Sequence, residues 1–428
     1  MGREVYGAAS RRLVRIWNTP SEKMPRNFVT AVLRAASKGY EKGLRIDQAR
    51  ALASRSRLPA YVISIGNLVS GGTGKTPLVL WLCRHLARSG FHPAILSRGH
   101  GRKGSGPARV TPQGEPWRLS ELFGDEPVFM AASLPSVPVW VGRERAVSGK
   151  AALNAESVGG VGVVGGLGGA GGVRSEGGMG AVGAVGAACS RDELAAKAGR
   201  PDTLVLDDGF QHLALARDLD IVLLDCRNPF GNGHTLPLGP LREPVAHLER
   251  ADALVLTHAD AGPEAEKTRS LVGKLFPGKP LFACVHKIEG FRLSPGGHLL
   301  PVEAMRGRKA AAFAGIAGPE GFFRDLTRCG IDVCARFAFP DHHRCAEADL
   351  ARLIESAAEC GAELILTTAK DAVRVPPQYR EAVVVAEMDL DFGPDGERFR
   401  EFLQNKSDTS GQAGGLENHG PLKAVVDH

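Results

Sequence analysis

A lysine and a hydroxyl at the end of a glycine run are the residues of this chain best equipped for chemistry. In Ser70-Gly71-Gly72-Thr73-Gly74-Lys75-Thr76 the glycines let successive backbone N–H groups converge on a polyphosphate, Lys75 adds a mobile positive charge, and the Thr76 hydroxyl can reach a bound Mg2+. Residues Gly71, Gly72, Thr73, Gly74, Lys75 and Thr76 therefore form the candidate phosphate cradle, and a nucleotide is its natural ligand. The first glycine of G-x-x-x-x-G-K-[ST] falls on Val69, so the loop is a variant with a doubled glycine. A plain glycine turn with an incidental lysine is the alternative, disfavoured by the apolar run Tyr61-Val62-Ile63-Ser64-Ile65 directly upstream.

Acids and bases recur at strand ends further along. Thr203-Leu204-Val205-Leu206-Asp207-Asp208-Gly209-Phe210-Gln211-His212 puts Asp207 and Asp208 where a phosphate-loop protein needs a carboxylate to complete a Mg2+ shell; a helix cap is the bland reading. Gly239-Pro240-Leu241-Arg242-Glu243-Pro244 sets a guanidinium beside a carboxylate, suited to neutralising a transferring phosphate while the acid helps hold metal, or simply to a surface ion pair. Gly124-Asp125-Glu126-Pro127 and Phe339-Pro340-Asp341-His342-His343 each offer a general base. Moving phosphate onto an alcohol requires a carboxylate to accept the hydroxyl proton, and a nearby imidazole can orient or share it. Helix capping by Asp125 and a core role for His342 are the structural alternatives.

Positioning these groups calls for an α/β scaffold. Apolar strands at 61–66, 94–97, 137–141, 203–208, 221–225 and 253–257 alternate with helical stretches, the pattern of a parallel sheet with helices on both faces. A second set at 310–316, 336–340, 363–368 and 382–386 predicts a second, smaller α/β domain. The boundaries read as a basic segment 1–57, a P-loop NTPase-like core 58–285, a linker 286–301, a smaller domain 302–404 and a disordered tail 405–428. Within the core, the Gly/Ala/Val stretch 158–188 has almost no side chains for packing and reads as a mobile insertion.

The chain of 428 residues is long enough for two domains, and its net charge of +6 is concentrated at one end. Residues 1–57 hold thirteen Lys/Arg against four Asp/Glu, so the remainder is slightly acidic. Across 27–54, Phe28, Val32, Ala36, Tyr40 and Leu44 recur every fourth position among Arg34, Lys38, Lys42, Arg45 and Arg50. Such a helix either lies on an anionic lipid surface or packs its apolar stripe on the core. Interleaved aromatics and a recognisable nucleic-acid module are missing from the pattern, so no nucleic acid is expected. The eight cysteines show no C-x-x-C pair, and reduced thiols in the cytoplasm fit them. Neither a signal peptide nor an apolar run of transmembrane length is present in the sequence.

Taken in order, Gly66-Asn67 with the 71–77 loop, Leu96-Ser97-Arg98-Gly99, Gly124 to Pro127, Val141-Gly142-Arg143, Asp207 to His212, 239–244, 339–343 and Lys370-Asp371-Ala372-Val373 resemble the tetraacyldisaccharide 4'-kinase (lipid A 4'-kinase) family. The resemblance runs from about residue 60 to about residue 375. It implies phosphorylation, by ATP with Mg2+, of the 4'-hydroxyl of an acylated glucosamine disaccharide 1-phosphate lipid, giving lipid IVA at the cytoplasmic face of the inner membrane. It also implies two α/β domains joined by a two-stranded linker with the site in the cleft, and a peripheral enzyme whose basic helix docks on the membrane. No obligate protein partner is evident.

Carried over by residue, the resemblance makes Lys75 and Thr76 ligands of phosphate and metal, Asp125 the catalytic base and His342 its partner across the cleft. Asp207, Asp208, Gln211, His212, Arg242 and Glu243 complete the metal and phosphate shell, with Thr76, Asp207 and Glu243 as the metal ligands. Two positions depart from the family pattern: His258 stands where Lys is usual, and Ala369 where Glu is common. The rival is a dimeric partitioning-type ATPase with a K-G-G-x-G-K-T loop. Ser70 replaces its first lysine, and the Asp125/His342 pair would have no task there.

Overall fold

The computed structural model describes residues 13, 15–25, 27–111, 114, 116–155, 200–293, 297–316, 318–341, 343 and 345–413. The glycine-rich stretch 158–188 and His342 lie outside them.

Strand β1 (Tyr61–Asn67) enters the phosphate loop and is the spine of the first sheet. Around it run β2 (Pro93–Ser97), β3 (Ala108–Arg109), β4 (Val139–Val141), β5 (Thr203–Asp207), β6 (Leu219–Asp225), β7 (Ala253–Thr257) and β8 (Leu281–Ala283). Their order is β3-β4-β2-β5-β1-β6-β7-β8, parallel throughout except the short edge strand β3. After β1 the chain crosses beyond β5 to reach β2 and returns later to fill the gap. That switch leaves a crevice at the carboxyl ends of β1 and β5, the usual ligand position in open α/β sheets. Register places Ile65 beside Asp207, so the chain leaves β1 for the phosphate loop right next to the two aspartates.

The central strands are apolar because both faces are covered. Ile63, Ile65, Val205 and Ile221 pack under the helix Lys75–Arg88, while Val62, Leu204 and Leu206 meet Leu58 and Leu153 on the other side. Each such side chain contributes about 1.5–3 kcal/mol on leaving water. Gly66 permits a close crossing, since a Cβ there would sit 2.5 Å from Phe210 Cβ.

A second sheet holds β9 (Val285–Leu293), β10 (Leu299–Pro301), β11 (Lys309–Ala314), β12 (Asp332–Ala338), β13 (Leu364–Thr368) and β14 (Val383–Asp391) in the order β10-β9-β14-β13-β11-β12. Strands β11–β14 are parallel, whereas β9 runs antiparallel to β14. Beyond Ala386, β14 pairs with β9 alone, so these two strands leave the sheet as a ribbon directed at the first lobe. The segment 286–301 holds most of β9 and all of β10.

Two expectations change. The chain does not end its ordered course at residue 404: the helix Asp395–Ala413 continues past it and returns to the first lobe, where Phe399 and Leu403 join the core beneath the first sheet and Phe399 lies 5.4 Å from Trp81. And not all thiols are free, because Cys334 on β12 is bonded to Cys360 at the end of the helix Glu347–Glu359, Cα atoms 6.1 Å apart. Their separation of 26 residues matches no motif; the βα crossover brings them together.

The basic N-terminal helix spans Phe28–Ala53, started by a reciprocal Asn27/Thr30 capping box. Its inward face is polar. Ser37 Oγ donates to Thr235 O at 2.9 Å, Tyr40 Oη to Arg242 O at 2.8 Å and Gln48 Nε2 to Glu243 Oε2 at 3.0 Å. Phe28, Val29 and Val32 are 83%, 57% and 50% exposed, so the forward part of the apolar stripe faces away from the core.

Candidate active site

Lys75 opens the helix Lys75–Arg88, and Gly74 before it has φ 84°, a left-handed conformation suited to glycine. The Lys75 Nζ stands 3.5 Å from Asp208 Oδ1, and Arg242 Nη1 donates to both Asp208 oxygens at 2.9 and 2.8 Å. Burial pushes the Asp208 carboxyl up, but Lys75 and Arg242 outweigh it and hold it below the usual value. Backbone bonds from Ser70 N to Pro240 O (2.8 Å) and from Arg242 N to Leu68 O (2.7 Å) stitch the 239–244 segment to the phosphate loop. The sequence-predicted pieces Lys75, Asp208 and Arg242 thus form one cluster.

Asp207 is buried and accepts from Ser97 Oγ at 3.0 Å. Burial, then Glu126 and Asp208, push its carboxyl up to about 7. An acid this short of compensating charge is what a hard cation would relieve, and Thr76, the second residue of the helix Lys75–Arg88, carries a hydroxyl next to Lys75. Among the described residues the buried Thr73 Oγ1 has no hydrogen-bond partner, which leaves a hydroxyl in the loop able to donate to a ligand oxygen.

Gln211 and His212 follow on the same turn. Gln211 Nε2 donates to Asn67 O at 3.0 Å, tying the aspartate loop to the end of β1. His212 is pushed down to about 4 by burial, then by Arg145, Arg217 and Arg98, so it is neutral near pH 7. The Glu243 carboxylate is fully buried and Oε2 takes contacts from His247 Nδ1 (2.6 Å), Arg250 Nη1 (2.8 Å) and Gln48 Nε2. In this structure these partners make Glu243 a clamp for the N-terminal helix, so neighbouring residues 242 and 243 face different surroundings.

On the same lobe as the cradle, Asp125 begins the helix Asp125–Ser133 after Gly124, whose φ of 93° and the 2.9 Å approach a Cβ there would make to His100 O exclude a side chain. Asp125 Oδ2 lies 2.9 Å from Arg374 Nε. Beside it, Glu126 Oε1 is 3.0 Å from Lys370 Nζ, which also reaches Asp341 Oδ1 at 3.3 Å. Lys370 lies in the four-residue helix Ala369–Ala372 at the end of β13, and Ala369 is its first residue. His343 is engaged elsewhere, with Nε2 2.8 Å from Asp349 Oδ2 and its ring stacked on Phe339 at 4.6 Å. The Arg374 and Lys370 pairings were missed by sequence reasoning, which saw the Lys370-Asp371-Ala372-Val373 run but had nothing to join it to residues far upstream.

The unusual His258 has φ 54°; its Nδ1 is 3.5 Å from Asp225 Oδ1 and its ring centroid 4.7 Å from that of His286. His286 in turn packs on the cradle, since a Cβ at Gly74 would approach its Nε2 to 2.9 Å.

The model of the family described as Tetraacyldisaccharide-1-P 4'-kinase (LpxK) matches residues 29–164 and 181–408. A tetraacyldisaccharide 4'-kinase of Syntrophobacter fumaroxidans is 44% identical over 398 residues, 93% of each chain, and one of Syntrophus aciditrophicus is 36% identical over 87% of this chain and 91% of its own. The crystal structure of the "apo" form of LpxK from Aquifex aeolicus in complex with ATP aligns with a TM-score of 0.62 and 28% identity, over 89% of this chain and 99% of that one. A phosphate cradle, an acid pair beside it and an acidic helix start facing them, in a chain this similar to those relatives over nearly its whole length, place it in the tetraacyldisaccharide-1-P 4'-kinase family.

Proposed function

We propose that this chain transfers the γ-phosphate of ATP to the 4'-hydroxyl of a tetraacylated glucosamine disaccharide 1-phosphate, forming lipid IVA at the cytoplasmic face of the inner membrane. Lys75 and the 71–76 backbone hold the β- and γ-phosphates. Arg242, paired with Asp208, stands ready to balance charge developing on the transferred group. Thr76 and Asp207 are the residues that would hold Mg2+, which supplies neutralisation of phosphate charge when bound. Asp125 accepts the hydroxyl proton as the oxygen attacks; its expected partner His342 lies outside the described residues.

The observation that carries this reading is the meeting of two acid sets at one cleft. Asp207, beside the cradle, is pushed up in part by Glu126, so the aspartate loop and the 124–127 turn are electrostatic neighbours. A switch ATPase needs only the first set. The N-terminal helix supports a lipid acceptor, because its exposed Phe28, Val29 and Val32 sit among Arg34, Lys38 and Lys42, suited to an anionic bilayer surface. Among the described residues no helix is long and apolar enough to cross a membrane, which fits a peripheral attachment. Purified protein given ATP, Mg2+ and detergent-dispersed disaccharide lipid should convert it to a product heavier by one phosphate. ATP consumption with unmodified lipid would reject the proposal.

A further inference from the structure

Two cations of the second lobe meet two consecutive acids of the first. We infer that Arg374 is the positioning residue of Asp125, so that the acceptor-side base is set in place by the opposite lobe. This rests on the phosphotransfer reading above.

Arg374 is well placed for the task. Its side chain is 4% exposed and that of Asp125 21%, so the 2.9 Å pair is largely out of water, where charge partners matter most. The guanidinium is braced from behind: Nη1 lies 3.4 Å from Asp371 Oδ1 and donates to His343 O at 3.4 Å. Asp371 is itself fixed, accepting from Thr368 Oγ1 at 2.7 Å and from Gly315 N at 3.0 Å. Anchored through Nη1, the planar guanidinium holds its charge against Asp125 Oδ2 as a close ion contact, without Nε being aligned on it as a hydrogen-bond donor. Lys370 repeats the arrangement one residue along. By holding Glu126 and Asp341 together it ties the acidic helix start to the loop leading to residue 342. Both contacts exist only while the lobes are together, so closure and alignment of the base are one event.

The test is steady-state kinetics of the full chain with ATP, Mg2+ and the disaccharide lipid, comparing R374M, R374K, D125N and the double variant D125N/R374M. R374M should lower kcat about 10²-fold, the loss expected of a disabled general base. The KM for ATP should stay within about twofold, because the cradle is untouched. The double variant should be no slower than D125N alone, and R374K should recover about tenfold by keeping the charge. Should R374M not fold, R374K carries the same cycle: a loss of about tenfold in the wild-type background and none in D125N. Losses that multiply with D125N, or a kcat for R374M within about threefold of wild type, would overturn the inference while leaving the kinase reading intact. Absence of lipid phosphorylation by the wild-type chain would overturn both.

Discussion

Residue types announce their chemistry only when spacing is local. Lys75, Thr76, Asp207 and Asp208 were legible because a glycine loop and a strand-end acid pair each lie within a few residues, and the structure joins Lys75 to Asp208. Arg374 was not, since nothing in a buried arginine near a strand end says which upstream acid it meets. The partners of Glu243 were hidden for the same reason, Gln48 and Arg250 coming from two other segments. At this scale Lys75→Met should weaken ATP binding roughly 10- to 100-fold, the 1.5–3 kcal/mol of a charged hydrogen bond; calorimetric titration reads it, and unchanged affinity would remove Lys75 from the cradle. Gly66→Ala should destabilise the fold by about 1–3 kcal/mol through overpacking on Phe210, measured as a lowered denaturation midpoint; an unshifted midpoint would show that Phe210 can yield.

Elements were read well where they were long and apolar, and poorly where they were short or polar. Strands β1, β5, β6 and β7 fall where continuous apolar runs predict them, because strands buried on both faces leave no other pattern. Strand β9 was hidden by Lys287, Glu289, Gly290 and Arg292, which an antiparallel ribbon tolerates because one face meets water. The helix Phe28–Ala53 was located correctly, yet sequence could not tell which way its stripe faced; the structure turns a polar face inward and leaves Phe28, Val29 and Val32 outside. Replacing Phe28 and Val32 by Ser should therefore reduce binding to anionic vesicles by about tenfold or more, at about 1.5–3 kcal/mol for each large apolar side chain no longer buried in lipid. Thermal stability should not change. Undiminished vesicle binding would return the helix to a purely structural role.

The whole molecule is two lobes held by a ribbon, a returning helix and ion pairs across the cleft. Arg328 of the second lobe pairs with Asp260 of the first, on the opposite side of the cradle from Lys370 and Arg374 by strand order. Its expected acid sensitivity follows from half-buried imidazoles. His85, His212 and His286 are each pushed from 6.5 down to about 4, chiefly by burial. The unfolded chain then binds more protons than the folded one between pH 6.5 and 4, so stability is full above pH 6.5 and is lost as pH falls through that window. Denaturation midpoints at pH 7 and pH 5 should differ in that direction, and His286→Gln should narrow the difference; equal midpoints would show that these rings stay hydrated. The division into two α/β lobes was legible in the sequence. Their contacts were not, because they join residues far apart in the sequence through single side chains.

The proposed phosphotransfer turns on a proton leaving a sugar hydroxyl for Asp125 while the cradle holds ATP, and transfer of radiolabelled γ-phosphate to the disaccharide lipid tests it most directly. Wild-type protein should label the lipid, and Asp125→Asn should bind ATP normally yet label it about 10²-fold more slowly. Equal labelling by both proteins would contradict it.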